Sequence, residues 1–282
     1  MTSELRAQAG QNFYWPVRGG RLMYWEPNNP EPVLSLVQQL PLGFHEGYGV
    51  FSSRGTPTKL IGDATGIRYG NGAYVNGSRQ RVPRWIDLPC STSQQVMVPH
   101  ARDTNIVYYA SAPDCTGRAD AGGYLGYHLC KIDIRAGSVQ EIYTDSMSVI
   151  DSYRSEVDRH GTEIISAASF PALNRVWIVW LFHKFNSHFT FADDSMEIHA
   201  YRMTDGVLSS PVVSSFPGAS NGTSKFIFSE SGLQAYFLHT VLKFDPQSGS
   251  FAIDKTIDTT GGMTNIIENG IFSPSGRCPI LS

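Results

Sequence analysis

Phe228-Ser229-Glu230-Ser231-Gly232 returns as Phe272-Ser273-Pro274-Ser275-Gly276, and an earlier relative stands at Phe51-Ser52-Ser53-Arg54-Gly55. The last two copies lie 44 residues apart, and the first precedes the second by 177, about four such periods. An apolar residue, a polar Ser/Gly turn and a new apolar run read as strand, tight turn, strand. A period in the forties matches one four-stranded blade of a β-propeller. Working outward, short runs rich in Val, Ile, Tyr and Phe recur along the chain, among them 21–25, 48–52, 95–98, 106–111, 124–134, 163–170, 175–182, 196–203, 233–238 and 265–272. Gly, Pro, Asn, Asp or Ser bounds most of them. Only 33–40 and 145–157 admit a helical reading.

The fold class expected is all-β: a β-propeller of five to six recognisable four-stranded blades, with an incomplete seven-bladed disc as the larger version. The units fall near 12–45, 46–90, 91–143, 144–215 and 216–262, with a sixth opening at Met263. The long fourth unit is expected to place its extra length in connections such as 143–159 or 183–194. Residues 11–282 form the propeller and 1–10 a disordered N-terminus or the remnant of a signal peptide, whose end Ala7-Gln8-Ala9-Gly10 resembles. The sixth unit stops soon after Cys278-Pro279, so its blade is incomplete. Either an N-terminal strand completes it or the chain is a piece of a longer protein.

Composition agrees and excludes several functions. The 282 residues are 17% charged and 12% aromatic, with 27 glycines and 16 prolines, a profile of many short strands joined by turns. Net charge is −3 and no two Lys or Arg residues are adjacent, which argues against nucleic acid as a partner. No apolar stretch reaches the length of a membrane span. Four cysteines lack metal-ligand spacing, so neither a metal site nor a cofactor is expected. Cys115 and Cys130 flank a turn-rich segment. They either pair as a disulfide in an oxidising compartment or stand as two buried thiols.

Among chemistry-bearing stretches, His183-Lys184-Phe185-Asn186-Ser187-His188 is the densest. His183, Asn186 and His188 are the candidate binding residues, against the alternative of a solvated turn. Asp193-Asp194 with Glu197 reads as an acidic solvated turn rather than a calcium loop. Asp63, Asp133, Asp158, Glu163, Asp245 and Glu268 are carboxylates from different units that a paired-acid hydrolase would need to converge. For Asp63 and Asp133, turn or strand-end hydrogen bonding is the simpler role. The segment 229–236 loosely follows the aspartate box of sialidase-type propellers, with Ser231 in the place of the acid. No nucleophile elbow, phosphate loop or metalloprotease helix occurs, and no catalytic residue is assigned.

The order of several segments resembles the N-terminal propeller region of large secreted proteins of Bacteroidetes-type bacteria. The matching stretches are Gln11-Asn12-Phe13-Tyr14-Trp15, Gly47-Tyr48-Gly49-Val50-Phe51-Ser52, Asp63-Ala64-Thr65-Gly66-Ile67 and Ser91-Thr92-Ser93-Gln94-Gln95-Val96-Met97-Val98-Pro99. They continue with Asn105-Ile106-Val107-Tyr108-Tyr109, Tyr127-His128-Leu129-Cys130-Lys131-Ile132-Asp133-Ile134, Asn174-Arg175-Val176-Trp177-Ile178-Val179 and the two late turns. The resemblance implies a lactonase-like or WD-repeat-like propeller on a secreted or cell-surface protein associated with type IX secretion. It carries no catalytic residues. The function expected is a non-catalytic binding or scaffolding module, monomeric or part of a larger polypeptide, that recognises a protein or glycan. The alternative is a carbohydrate- or lactone-active hydrolase or lyase with its site at the channel mouth.

Overall fold

A computed structural model of the chain describes residues 8–9, 14–17, 21–24, 33–36, 49–51, 60–63, 66–69, 73–75, 95–111, 124–148, 159–184, 195–217, 226–229, 231–237, 240–256, 271–272 and 279–280. These residues form antiparallel sheets, and a 3-10 turn at Pro171–Leu173 follows the first long strand of the fourth. After a short strand β1 (Gln8–Ala9), the first sheet is β2 (Tyr14–Val17), β3 (Arg21–Tyr24) and β4 (Val33–Leu36). The second is β5 (Gly49–Phe51), β6 (Leu60–Asp63) and β7 (Gly66–Tyr69). The third is β8 (Gln95–Pro99), β9 (Ile106–Ser111), β10 (Tyr124–Asp133) and β11 (Ser138–Ser148).

The fourth sheet holds β12 (Arg159–Phe170), β13 (Arg175–Lys184) and β14 (Ser195–Thr204). β15 (Val207–Leu208) and β16 (Val212–Pro217) both pair with β14, as two halves of one interrupted strand. The fifth is β17 (Ile227–Phe228), β18 (Gln234–Phe237), β19 (Thr240–Phe244) and β20 (Phe251–Thr256). The sixth pairs β21 (Ile271–Phe272) with β22 (Pro279–Ile280). Within each sheet the strands pair with neighbours in chain order, except in the fourth, where β1 joins β12 from far away in the chain and β16 pairs with β14 beyond β15. The six sequence units each hold one sheet, although β11 runs past the expected boundary at 143 and β16 past that at 215. Both helix-ambiguous stretches contribute strand, 33–36 to β4 and 145–148 to β11.

The repeated motif occupies one structural position. Phe51, Phe228 and Phe272 each end the first strand of a sheet, at β5, β17 and β21. Phe170 does the same for β12, and four residues later Asn174 takes φ 51°, as Gly232 does at φ 69° after Phe228. Ser229 and Ser231 brace the turn: their hydroxyls accept the backbone N–H groups of Gln234 and Leu233. Serine there satisfies turn amides much as aspartate would.

Alternation sets the packing. Trp177, Val179 and Leu181 of β13 join Met196, Ile198 and Ala200 of β14 in a core shared with Phe226, Phe228, Phe237, Phe244 and Phe251 of the fifth sheet segment. Val176, Ile178 and Trp180 turn the other way, into a core with Tyr108, Ala110, Tyr127 and Leu129 of the third sheet. A further core joins Phe51, Leu60 and Ile67 of the second sheet to Met97, Val107, Tyr109 and Ile132 of the third. The second to fifth sheets therefore stack face to face in chain order, and the inner sheets bury both faces. Such strands read as continuous apolar runs, as 176–182 does, instead of alternating.

Short turns link neighbouring sheets at one end of the stack. Trp177 Nε1 donates to the Pro246 carbonyl at 3.1 Å, and Arg175 Nη1 donates to the carbonyls of Pro246 at 3.0 Å and Gln247 at 2.6 Å. Asp245 Oδ1 in turn accepts the Gln247 N–H, and Gly249 at φ 85° closes the turn against the Trp177 ring. A Cβ on Gly249 would lie 2.3 Å from that ring, whereas Gly206, also at φ 85°, has nothing within 4 Å of its Cβ position. The pair separates backbone strain from collision. Gly206→Ala is expected to cost ~1–2 kcal/mol for its left-handed conformation. Gly249→Ala adds overpacking and should lose ~1–3 kcal/mol more, read from urea unfolding midpoints of the two variants against the parent chain.

Candidate functional site

Strand β14 carries the chemistry. Its sequence Ser195-Met196-Glu197-Ile198-His199-Ala200-Tyr201 alternates, so Met196, Ile198 and Ala200 face the fifth sheet while Glu197, His199 and Tyr201 face the third. Glu197 is 3% exposed and His199 6%. His199 Nε2 lies 3.0 Å from Glu197 Oε2, a hydrogen-bonded acid–imidazole pair inside the protein. A buried carboxylate without such a partner would be strongly destabilising.

Aromatic rings enclose the pair. Register places Glu197 opposite Phe182 and His199 opposite Trp180. The His199 ring sits 4.2 Å from that of Phe182, and Trp180 meets Tyr201 edge-on at 4.9 Å. Tyr127, reaching across from the third sheet, contacts both Trp180 at 5.2 Å and Phe182 at 5.4 Å. Opposite this region β12 is irregular, its register on β13 jumping between Gly161 and Ile165. Bulges of this kind re-aim side chains and concentrate next to functional sites. Chemically, the carboxylate fixes the orientation of the imidazole, the arrangement by which an acid positions a histidine for proton transfer or ligand binding.

The residues chosen from sequence meet this site in part. His183 lies on β13, one position beyond Phe182, paired with Met196 and opposite His160 of β12. Asn186 and His188 lie outside the described residues. Glu197 overturns the expectation of a solvated acidic turn: it is an inward-facing member of a strand, held by His199, while Asp193 and Asp194 lie outside the described residues. His199 went unrecognised in the sequence, although Glu-x-His on an apolar strand is the signal that two polar groups share one face. Asp133 Oδ1 accepts the N–H groups of Arg135 and Ala136, and Asp245 serves the same purpose in its own turn. Both are turn carboxylates. Hydrogen bonds from Ser248 and from backbone hold Asp245 below the usual carboxylate range. Asp158 and Glu268 lie outside the described residues.

Cys130 is buried and free in β10, and its expected partner Cys115 lies outside the described residues. Burial, reinforced by Glu141, pushes the Cys130 thiol up to about 12. Burial likewise raises the Tyr108 phenol to about 12, offset in part by the Gly206 backbone and reinforced by Asp205. Comparison with protein-family models, curated proteins and solved structures returned no match.

Two outcomes test this reading. Glu197→Ala or His199→Ala alone should destabilise the chain by ~3–5 kcal/mol, because each leaves a buried polar partner behind. The double replacement should cost clearly less than the sum, a coupling of ~1–3 kcal/mol in a denaturant double-mutant cycle. For Cys130, the raised native value means that its contribution to stability is complete below the unfolded thiol value near 9 and fades as pH rises towards 12. At pH 8.5 iodoacetamide should therefore leave Cys130 unmodified in the folded chain and alkylate it once urea unfolds the protein, as read by mass spectrometry.

Proposed function

We propose that the chain is a β-propeller that serves as a non-catalytic binding module, recognising a protein or glycan through one end of its disc. The observation that carries this reading is the succession of first strands. β5 contacts β8, β8 contacts β12, β12 contacts β17 and β17 contacts β21. Meanders stacked face to face, with their first strands adjacent in chain order, are what blades around an axis require. The two ends of the stack also differ. Short turns such as 134–137, 171–174 and 245–250 lie at one end and include those that clasp neighbouring sheets. Strands β9, β11, β13 and β16 end at the other, the end nearer Phe182 and Glu197. Connections on a rigid stack are where recognition concentrates. Location on a secreted or surface protein rests on the sequence resemblance and is proposed with it.

The Glu197–His199 pair supports a second reading, a carbohydrate- or lactone-active hydrolase or lyase, since an oriented imidazole is a competent base. In the propeller reading the first strands line the channel, and the pair lies on the third strand of its sheet, two strands from β12. A glycan array and a chromogenic glycoside and lactone panel, run on the whole chain, distinguish the readings. Saturable glycan binding without turnover is the expected result. Turnover that Glu197→Gln abolishes would replace the module by the enzyme.

A further inference from the structure

At the short-turn end of the stack, one histidine answers to two sheets. His100 follows β8 and opens the turn 100–105 that leads into β9. Its Nδ1 accepts the backbone N–H groups of Arg102 and Asp103, both at 3.1 Å. A ring nitrogen that accepts carries no proton, so in the uncharged ring the hydrogen is on Nε2. That atom lies 3.9 Å from Asp205 Oδ1, in the turn between β14 and β15 of the fourth sheet. The imidazole is mostly covered, with the Tyr108 ring 6.0 Å away, whereas the Asp205 side chain is 77% exposed.

The two ring nitrogens make opposed demands. A proton taken up at Nδ1 occupies the lone pair that Arg102 and Asp103 use, and leaves two N–H donors facing a third. The same proton gives the ring a charge that nearby carboxylates favour. Asp103 is already engaged: its Oδ1 accepts the backbone and side-chain N–H groups of Asn105, and its Oδ2 pairs with Arg135 Nη2 at 2.7 Å. Asp205 has His100 as its one ion-pair partner among the described residues. The cations at this corner are Arg102, exposed in the turn itself, and Arg135, bound to Asp103. Arg202 belongs to the opposite face of β14 from Tyr201 and Met203, which face the third sheet. The Tyr108 phenol, raised to about 12, stays uncharged near neutral pH.

We propose that His100 is a proton-operated latch between the third and fourth sheets. Uncharged, it closes the 100–105 turn through Nδ1. On taking up a proton from solvent it releases the N–H groups of Arg102 and Asp103 and turns its charge onto Asp205. The His100 N–H, which donates to the Ile106 carbonyl at 2.8 Å, takes no part, so β8 stays paired with β9 and the change is confined to the turn. Acid therefore loosens this turn and strengthens one contact between sheets. The inference rests on the hydrogen bonds of one corner and is independent of ring closure and of what the chain binds.

The test follows the whole chain by NMR. At pH 8 the imidazole nitrogen shifts should show the Nε2–H form of His100. Between pH 7.5 and 5.5, across the range in which histidines change charge, protection of the Arg102 and Asp103 amides should fall about fivefold or more after correction for intrinsic exchange. Protection of the His100 amide should stay unchanged. His100→Asn supplies a side-chain carbonyl that accepts the same amides without titrating, so its protection should not vary with pH. Asp205→Asn should move the midpoint of the loosening to lower pH, because the cation loses its partner. An Nδ1–H ring at pH 8 overturns the proposal, as does protection that is level across the pH range. Equal loss in His100→Asn assigns the effect to another group and overturns it too. A midpoint unmoved in Asp205→Asn removes the fourth sheet from the latch and overturns the proposal in that form.

Discussion

Burial of the fourth sheet on both faces is the constraint from which the rest follows. β13 sends Trp177, Val179 and Leu181 into one core and Val176, Ile178 and Trp180 into another. Neither the third sheet nor the fifth could leave without exposing half of that strand, so the stack is cooperative through its middle. Each large side chain there represents ~3–5 kcal/mol if truncated to alanine. The same double burial explains why the polar groups on β14 are paired. Glu197 and His199 sit in the interface with the third sheet, out of bulk water, and each supplies the other's hydrogen bond.

Where apolar faces set the stacking, turns set its alignment. Apolar contact alone tolerates sliding, because it is not directional. The hydrogen bonds from Arg175 and Trp177 to the turn at Pro246 and Gln247 fix the fifth sheet against the fourth at one height. Ser214 Oγ, accepting the Phe251 N–H, repeats the fastening at the outer strands. His100, whose Nδ1 accepts the N–H groups of Arg102 and Asp103, faces Asp205 at 3.9 Å across the third and fourth sheets.

Much of this architecture could be read from the residues. The Phe-Ser-x-x-Gly repeat located the end of a sheet's first strand three times, because an apolar strand end followed by a Ser/Gly turn sequence is a local signature. The fourth instance escaped notice since Asn174 replaces glycine and Pro171 opens the turn. A second repeat was equally present. Lys131-Ile132-Asp133 and Lys243-Phe244-Asp245 each lead to a glycine four residues after the Asp and a serine beyond it, and each turn is capped by that Asp. The Glu197–His199 pair was obscured by Asp193 and Asp194 just before it, which made Glu197 look like the tail of an acidic turn. Only the register of β14 against β13 shows that it points inward, and register is a long-range property that no short window contains. The attachment of β1 to β12 is longer in range still.

That attachment has a consequence for the order in which the protein is assembled. The strands of each sheet follow one another in the chain, so a sheet can pair as soon as its own segment has left the ribosome, with little loop entropy to overcome. β1 is the exception. Gln8 and its partner Ser169 are separated in the chain by three whole sheets. β1 must therefore wait, unpaired with β12, while those sheets form around its eventual place. It is made well before the strand that holds it and is among the later ones to pair.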